Sequence, residues 1–476
     1  MATSAVAAAG TSSMLRNQRV VVCLLLAAGC AADPADEVAT DSAEATTGEG
    51  TTGAAQSTGE PAESSSGDVT ADVSYYEDIR PLLTQHCVAC HTEGSIAPFR
   101  LDSYEDVAAL APAIKTVVEA RTMPPFGVRA DGSCQEYDDP WWMTEDEIAT
   151  IAAWVDGGMA AGDDTIEAPE PPALPTLEGD TELVGIPEYA PETNEELGFA
   201  LDDYRCFPIP FDIESDRYLT GFDVIPDNDE LVHHVLGFRV DPTFLNNAEA
   251  ISVLEGIDEK PGWPCYGAAG DGILPQGVPV TWAPGQGAVN YPEGVGVRFE
   301  PGDIMVVQMH YNLLDEGGLD ASEIRLKWED EVEKEGFQVL WDPFLFQSFT
   351  GGSQTLPPGM ESAKYNWDAT FEEMFSFDGI SFPQIDLLGI IPHMHERGRK
   401  MSVEIERAEG MECAADVDRY DYNWQRTYFY EAPIQVSAED RLHVECDFNT
   451  EGVSDPVGAG FGTQDEMCLV GLFFTE

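Results

Sequence analysis

Ile324-Arg325-Leu326-Lys327-Trp328 alternates apolar and charged side chains one residue at a time. Successive side chains of an extended chain leave opposite faces, so this alternation predicts a strand with one buried face. Ser402-Val403-Glu404-Ile405-Glu406 repeats the pattern. Gly and Pro punctuate short runs throughout 181–476, which predicts antiparallel sandwiches rather than βαβ units. That span is too long for one sandwich, so two are expected, over 181–336 and 337–476. The whole chain has 476 residues, 43% of them apolar, and a formal charge of −65. Such a composition can bury sizeable cores, which excludes global disorder. The charge argues against binding nucleic acid or docking on an anionic membrane surface, since both need clustered Lys and Arg. A solvated surface suited to salty surroundings accounts for it in the plainest way.

Residues 20–29 read VVVCLLLAAG, follow Arg16 and Arg19, and end at Cys30. A basic stretch, a short apolar run and small residues make a secretory signal. The run is about ten residues, where a bilayer span needs about 20. Ala27-Ala28-Gly29-Cys30 resembles a bacterial lipobox, with Leu26 one place early. The resemblance implies cleavage before Cys30 and a lipid on its thiol, and Met14 reads as the start because residues 1–13 add nothing a signal needs. Ordinary cleavage further on is the alternative. Residues 31–71 hold nine acidic residues and no Lys or Arg, and read as a flexible tether. The expectation is an exported protein, periplasmic, anchored at the outer membrane or displayed at the cell surface, touching the membrane only through its lipid.

Between 72 and 161 the period changes. Val107, Leu110, Ile114 and Val117/Val118 fall on one helical face, as do Ile148, Ile151, Trp154 and Val155. Thr144 with Glu147 three residues later predicts a capping box. Cys87-Val88-Ala89-Cys90-His91 is a C-x-x-C-H motif. Two thiols at this spacing can add to heme vinyl groups while the next imidazole reaches the iron. Zinc or redox C-x-x-C sites are the competing readings. Export favours heme, and Met123 in Arg121-Thr122-Met123-Pro124-Pro125 resembles the sixth-ligand loop of cytochromes c. The segment therefore reads as a small all-α cytochrome c domain with one covalent heme c on Cys87, Cys90, His91 and Met123. Met143 and Met159 are the rival ligands. His86 reads as a surface or propionate-side residue. Pro169, Pro171, Pro172 and Pro175 mark 162–180 as a linker, which would bring the heme segment near the β-rich body.

Six of the eight histidines lie in that body, and five of them in three short motifs. His393 and His395 at i and i+2 share one face of a strand and can grip one ion. His233 and His234 are adjacent and would point apart on a regular strand, so sharing a metal needs a bulge or a strand end. His310 ends a strand-like run from Ile304. Neutral imidazoles suit copper, zinc, iron and nickel. A lone histidine is most often structural, and His443 is read that way. A zinc hydrolase is disfavoured, because no H-E-x-x-H helix is present.

Taken in order, LVHHVLGF (231–238), QMHYN (308–312), HMHERGRK (393–400) and GTQDEMC (462–468) resemble the copper type II, ascorbate-dependent monooxygenases, the family of peptidylglycine α-hydroxylating and dopamine β-monooxygenases. The resemblance covers roughly 200–476. It implies two tandem jelly-roll sandwiches with two copper ions, one held by His233, His234 and His310, the other by His393, His395 and Met467. A thioether favours Cu(I), the state that must meet O₂. It also implies disulfides Cys206–Cys265 and Cys446–Cys468. Cys134 and Cys413 remain, and a bridge between them is open on sequence alone.

The implied activity is hydroxylation of a small-molecule C–H bond with O₂, at a catalytic centre of His393, His395 and Met467. Electrons would come from ascorbate, a redox protein or the attached heme. One departure concerns substrate. The positions that hold a peptide carboxylate in the amidating member are Ile391, Leu469 and Gly471 here, and none of these side chains can bind a carboxylate. A more apolar substrate site is expected. The competing expectation is a non-catalytic heme/copper electron-transfer or copper-binding lipoprotein.

Overall fold

The computed structural model describes residues 73–92, 97, 99–125, 127–138, 142–170, 175–193, 202–229, 231–265, 268–283, 286–313, 318–349, 354–375, 382–422, 424–460 and 464–476. The signal-like run with Cys30 and the acidic stretch 31–71 lie outside the described residues. No helix among those described is long and apolar enough to cross a membrane.

A helical unit comes first. A π-helical turn, Tyr75–Ile79, runs into α1 (Arg80–His86), followed by α2 (Tyr104–Glu119) and α3 (Glu145–Asp156). Each start has a local cause. The Ser103 side chain accepts from the Asp106 amide, and Thr144 and Glu147 form the predicted capping box. Val107, Ala111, Ile114 and Val118 of α2 meet Ile148, Ile151 and Trp154 of α3 in one core, which Tyr75, Ile79 and Leu83 complete. His86 is not at the surface. Its side chain is 4% exposed and its Nε2 lies 3.3 Å from Glu147 Oε1, so it caps the inter-helix contact.

The rest of the described chain is mostly strand. Ile324, Leu326 and Trp328 are each at most 2% exposed while Arg325 and Lys327 face outward, the alternation read from the sequence. Burial of such side chains contributes about 1.5–3 kcal/mol each. Thr181–Gly185, Glu323–Glu329, Arg217–Ile225 and Val295–Phe299 form one sheet. It shares a core with a five-stranded sheet ordered Trp263–Pro264, Asp202–Pro210, Ile304–Asn312, Val232–Val240, Val280–Trp282. A second pair of sheets encloses the other core. Gln384–His393, Leu469–Thr475 and Tyr428–Ser437 face Ala363–Thr370, Arg441–Phe448, Gly398–Arg407 and Gly410–Val417.

The two β units are not separate. Lys334–Trp341 pairs in parallel with Val295–Phe299 and antiparallel with Leu469–Thr475, joining one sheet of each unit into a continuous sheet. A division at 336/337 falls inside this strand. The reason is physical: its backbone groups would otherwise be buried unpaired.

Three disulfides close the body: Cys206–Cys265, Cys446–Cys468 and Cys134–Cys413. The third fastens the helical unit to the second β unit. Between α2 and α3 the chain leaves the helices and lies along the strands of that unit, with Val128 bridging to Val417 and Tyr137 to Tyr430. Val128 and Tyr137 are at most 1% exposed and belong to the second β core. Arg129 pairs with Asp416 and Asp418, and Arg419 donates to the carbonyl of Ala120 at the end of α2. Residues 127–138 therefore tie the helical unit to the second β unit. Replacing Cys134 and Cys413 together by serine should lower stability by about 2–4 kcal/mol. The unit should stay docked through the remaining contacts. Urea unfolding with and without the pair checks the first point, and limited proteolysis at 127–138 the second.

Candidate metal centres

The strand Val232–Val240 runs beside Ile304–Asn312, with Val232 opposite Tyr311 and His234 opposite His310. The register slips between them, which is the bulge that lets two adjacent histidines face one point. Ligand nitrogens of His233, His234 and His310 all lie within 4.8 Å of one another. On its other side His310 faces Tyr204, whose ring stacks on the imidazole at 4.1 Å between centroids. Asp202 Oδ1 lies 2.9 Å from His310 Nε2, and both side chains are at most 5% exposed. The Nε2–H thus donates to a buried carboxylate, which leaves the Nδ1 lone pair for a metal. His234 Nδ1 is 3.5 Å from that nitrogen. Burial, then the neighbouring imidazoles, hold His234 well below the ordinary histidine range, so it is neutral at pH 7.

His393 ends the strand Gln384–His393, and His395 follows two residues later. Met394 between them is fully buried in the second β core, so the two imidazoles leave on the other side, 5.3 Å apart. Tyr420 fixes this turn: Met394 N–H donates to its hydroxyl at 2.9 Å, and that hydroxyl donates to the Met394 carbonyl. His395 Nδ1 donates to the Asp465 carbonyl at 3.1 Å, which leaves Nε2 free. Burial pulls His393 down to about 4 and His395 to about 3, so both are neutral donors. Glu466 accepts from the backbone N–H groups of His395 and Arg397, clamping the segment before Met467 onto the histidine turn. Met467 is 6% exposed yet belongs to none of the apolar clusters, unlike Met394 and Cys468.

These two histidine groups meet. His234 and His393 rings are 6.3 Å apart. Gln425 lies between them, its Nε2 2.8 Å from His234 Nε2 and its Oε1 against His393 Nδ1. The Tyr422 ring stands 4.7 Å from His233 and 5.7 Å from His395. Ile391 and Gly471 are cross-strand partners, and a side chain added at Gly471 would meet Ile391 and Leu340. Ile391, Gly471 and Leu340 thus form an apolar cluster. His443 is apart, paired with Glu406 at 2.8 Å on the surface.

In the helical unit, Cys87 and Cys90 are not disulfide-bonded. Burial pushes the Cys87 thiol up to about 12 and raises Cys90. His91 Nδ1 lies 3.2 Å from the Phe99 carbonyl, which fixes Nε2 as the free nitrogen. Met123 lines a shallow hollow with Val118, Arg121, Trp142, Met143 and Arg419, and His91 does not line it.

Asp202, Tyr204, Tyr422, Gln425 and Glu466 escaped the sequence reading. Asp202 lies four residues before Cys206 on a strand, where carboxylates are rare, and that alone could have marked it. Nothing local distinguishes Gln425. Asp202→Ala should weaken metal at the His233/His234/His310 centre by about 10–100-fold, as loss of an outer partner does. Affinity at His393/His395 should hold. Chelator competition at each centre measures both.

Two groups of histidines on linked β units are the candidate metal centres. Comparison with known proteins sharpens the class. Residues 345–475 match the family described as copper type II ascorbate-dependent monooxygenase, C-terminal domain. The chain is 29% identical over 282 residues to a human "Putative DBH-like monooxygenase protein 2", covering 57% of this chain and 53% of that one. It is 22% identical over 319 residues to the tyramine beta-hydroxylase of Caenorhabditis briggsae, covering 63% and 49%. With the dopamine beta-hydroxylase of Canis lupus familiaris it shares 23% over 258 residues, covering 51% and 37%. The matches thus span about half the length of these relatives or less. They support a copper-dependent monooxygenase family. Among solved structures, a Paenibacillus xanthan lyase is 11% identical with a TM-score of 0.15, over 57% of this chain and 23% of that one, too slight a likeness to bear on the fold.

Proposed function

We propose that the chain is a two-copper monooxygenase that hydroxylates a C–H bond of a small apolar substrate with O₂. The observation that carries this is the meeting of two histidine groups, in a chain whose relatives are named monooxygenases and hydroxylases. The donors fit copper: imidazole nitrogens at both centres and a thioether at one. Copper held there would supply one-electron redox chemistry and the site of O₂ activation. The overall reaction takes a C–H bond, O₂, two electrons and two protons to an alcohol and water. His233, His234 and His310 would serve the electron-storing centre, and His393, His395 and Met467 the oxygen-activating one. Asp202 and the Asp465 carbonyl hold the ring orientation. Ile391 and Gly471 favour an apolar substrate over a carboxylate.

Heme on Cys87 and Cys90, with His91 as ligand, would supply electrons one at a time. A redox dithiol needs a lowered thiol pKa, and burial works the other way at Cys87. The Phe99 carbonyl sets the tautomer an iron ligand needs. Arg419 donates to the Ala120 carbonyl at the end of α2, and the next residue, Tyr420, holds the backbone of Met394 between the two histidines. Met123 as sixth ligand, the lipid at Cys30 and the exported location belong to this same reading.

The purified full chain should contain two coppers and one low-spin c-type heme, by metal analysis and optical spectrum. Zinc at the centres, or no heme band, would overturn the cofactor set. One observation favours a second reading, a non-catalytic electron carrier: Tyr422 and Gln425 fill the space between the centres. Substrate-dependent O₂ uptake lost in Met467→Ala favours the enzyme. Redox cycling with no uptake across a broad substrate panel favours the carrier.

A further inference from the structure

We propose that Gln425 is a positioning residue that sets the order in which the two centres take metal, favouring His393/His395/Met467 and opposing His233/His234/His310. The proposal rests on the reading that both centres bind copper. A neutral imidazole has one N–H and one lone pair, so a metal on one nitrogen puts the proton on the other. At His393 the nitrogen facing Gln425 is Nδ1, and its partner is the amide oxygen. Metal on Nε2 leaves Nδ1–H, a donor facing an acceptor. The loaded state of this centre is therefore satisfied.

At His234 the situation is reversed. The amide Nε2 of Gln425 is 2.8 Å from His234 Nε2, a bond that requires a lone pair there and the proton on Nδ1. Yet Nδ1 is the nitrogen turned toward His310 Nδ1, where a metal would sit. Loading this centre moves the proton to Nε2, and two donors then face each other. Turning the amide over does not help. Its Nε2 also donates to the Tyr422 carbonyl at 2.6 Å, so the flip would set two acceptors together. The flip would also face the amide N–H toward Nδ1–H of a loaded His393. Gln425 is 8% exposed, which leaves little water to absorb the mismatch. One amide thus satisfies the second centre loaded and the first centre empty. Filling the first must break the Gln425 contact and loosen the junction between the β units.

Copper affinity of each centre can be read separately on the full chain by chelator competition, using His395→Ala to leave only the first centre and His310→Ala to leave only the second. Adding Gln425→Ala should tighten the first centre about tenfold, the scale of one buried donor no longer left unpaired. It should weaken the second centre in the same range, because His393 loses its acceptor. The opposite signs are the signature, since damage to the fold would weaken both. Parallel losses at both centres in Gln425→Ala, or no change at either, overturn the proposal while leaving the copper reading intact. Failure of both single-centre chains to bind copper overturns that reading, and the proposal with it.

Discussion

Replacing His395 by alanine should abolish substrate-dependent O₂ uptake while copper at the His233/His234/His310 centre survives. His395 is 3% exposed and neutral, with Nδ1 spoken for by the Asp465 carbonyl. Its remaining nitrogen is the one imidazole lone pair that can join His393 at this centre. Removing it leaves one imidazole and a thioether, too few donors for a redox copper site. Loss of an outer partner alone typically lowers affinity or activity about 10–100-fold, so loss of a ligand should exceed about 100-fold in both. The backbone clamp to Glu466 does not use the side chain, so the fold should persist. Oxygen-electrode rates, the copper content of the isolated protein and a thermal melt read the three parts. Undiminished uptake in a variant with a normal melt would remove this centre from the reaction.

The largest stability effect is expected at Arg205. Its guanidinium is 2% exposed and makes four hydrogen bonds: to both oxygens of Asp258, at 2.9 and 2.7 Å, and to the carbonyls of Pro261 and Gly262, at 2.8 and 2.9 Å. It therefore pins 258–262 against the strand Asp202–Pro210, and that segment leads into Trp263 and the Cys206–Cys265 bridge. Arg205→Met keeps the apolar stem and removes every one of these bonds. Breaking a buried charged pair costs about 3–5 kcal/mol. Asp258 is 32% exposed and regains some hydration, which puts the expectation near the lower end, at about 3 kcal/mol. The pH dependence has a defined sign. Arg205 holds the Asp258 carboxyl below its ordinary value of 3.8. That contribution is present above 3.8 and disappears as pH falls through the lowered value, so the gap between the two proteins should narrow in acid. Urea midpoints at neutral and acid pH test it, and a gap that widens in acid would contradict the assignment.

Much of the molecule was legible in the sequence because the signals are local. Alternation at 324–328 is a period-two signal, and Ile324, Leu326 and Trp328 are inside as that period requires. The Thr144/Glu147 cap spans four residues and forms as read. His393 and His395 share a side because Met394 takes the core side. The need for a bulge at His233/His234 follows from strand geometry, and the register slip supplies it. The burial of His86 was not legible, since its neighbour Glu147 is 61 residues away in sequence.

Sequence by itself determined the alternation at 324–328, the helix cap at Thr144 and Glu147, and the gathering of five histidines into three short motifs. Tertiary structure alone decided what lies between the two histidine groups and what holds each ring. Gln425 is 191 residues from His234, Asp202 is 108 from His310, and Cys134 is 279 from Cys413. It also decided that the helical unit, first in the chain, docks on the last β unit. A periodic pattern records which face of its own element a residue occupies. Partners this distant are set by how whole elements pack and register, and no local run of residues encodes that.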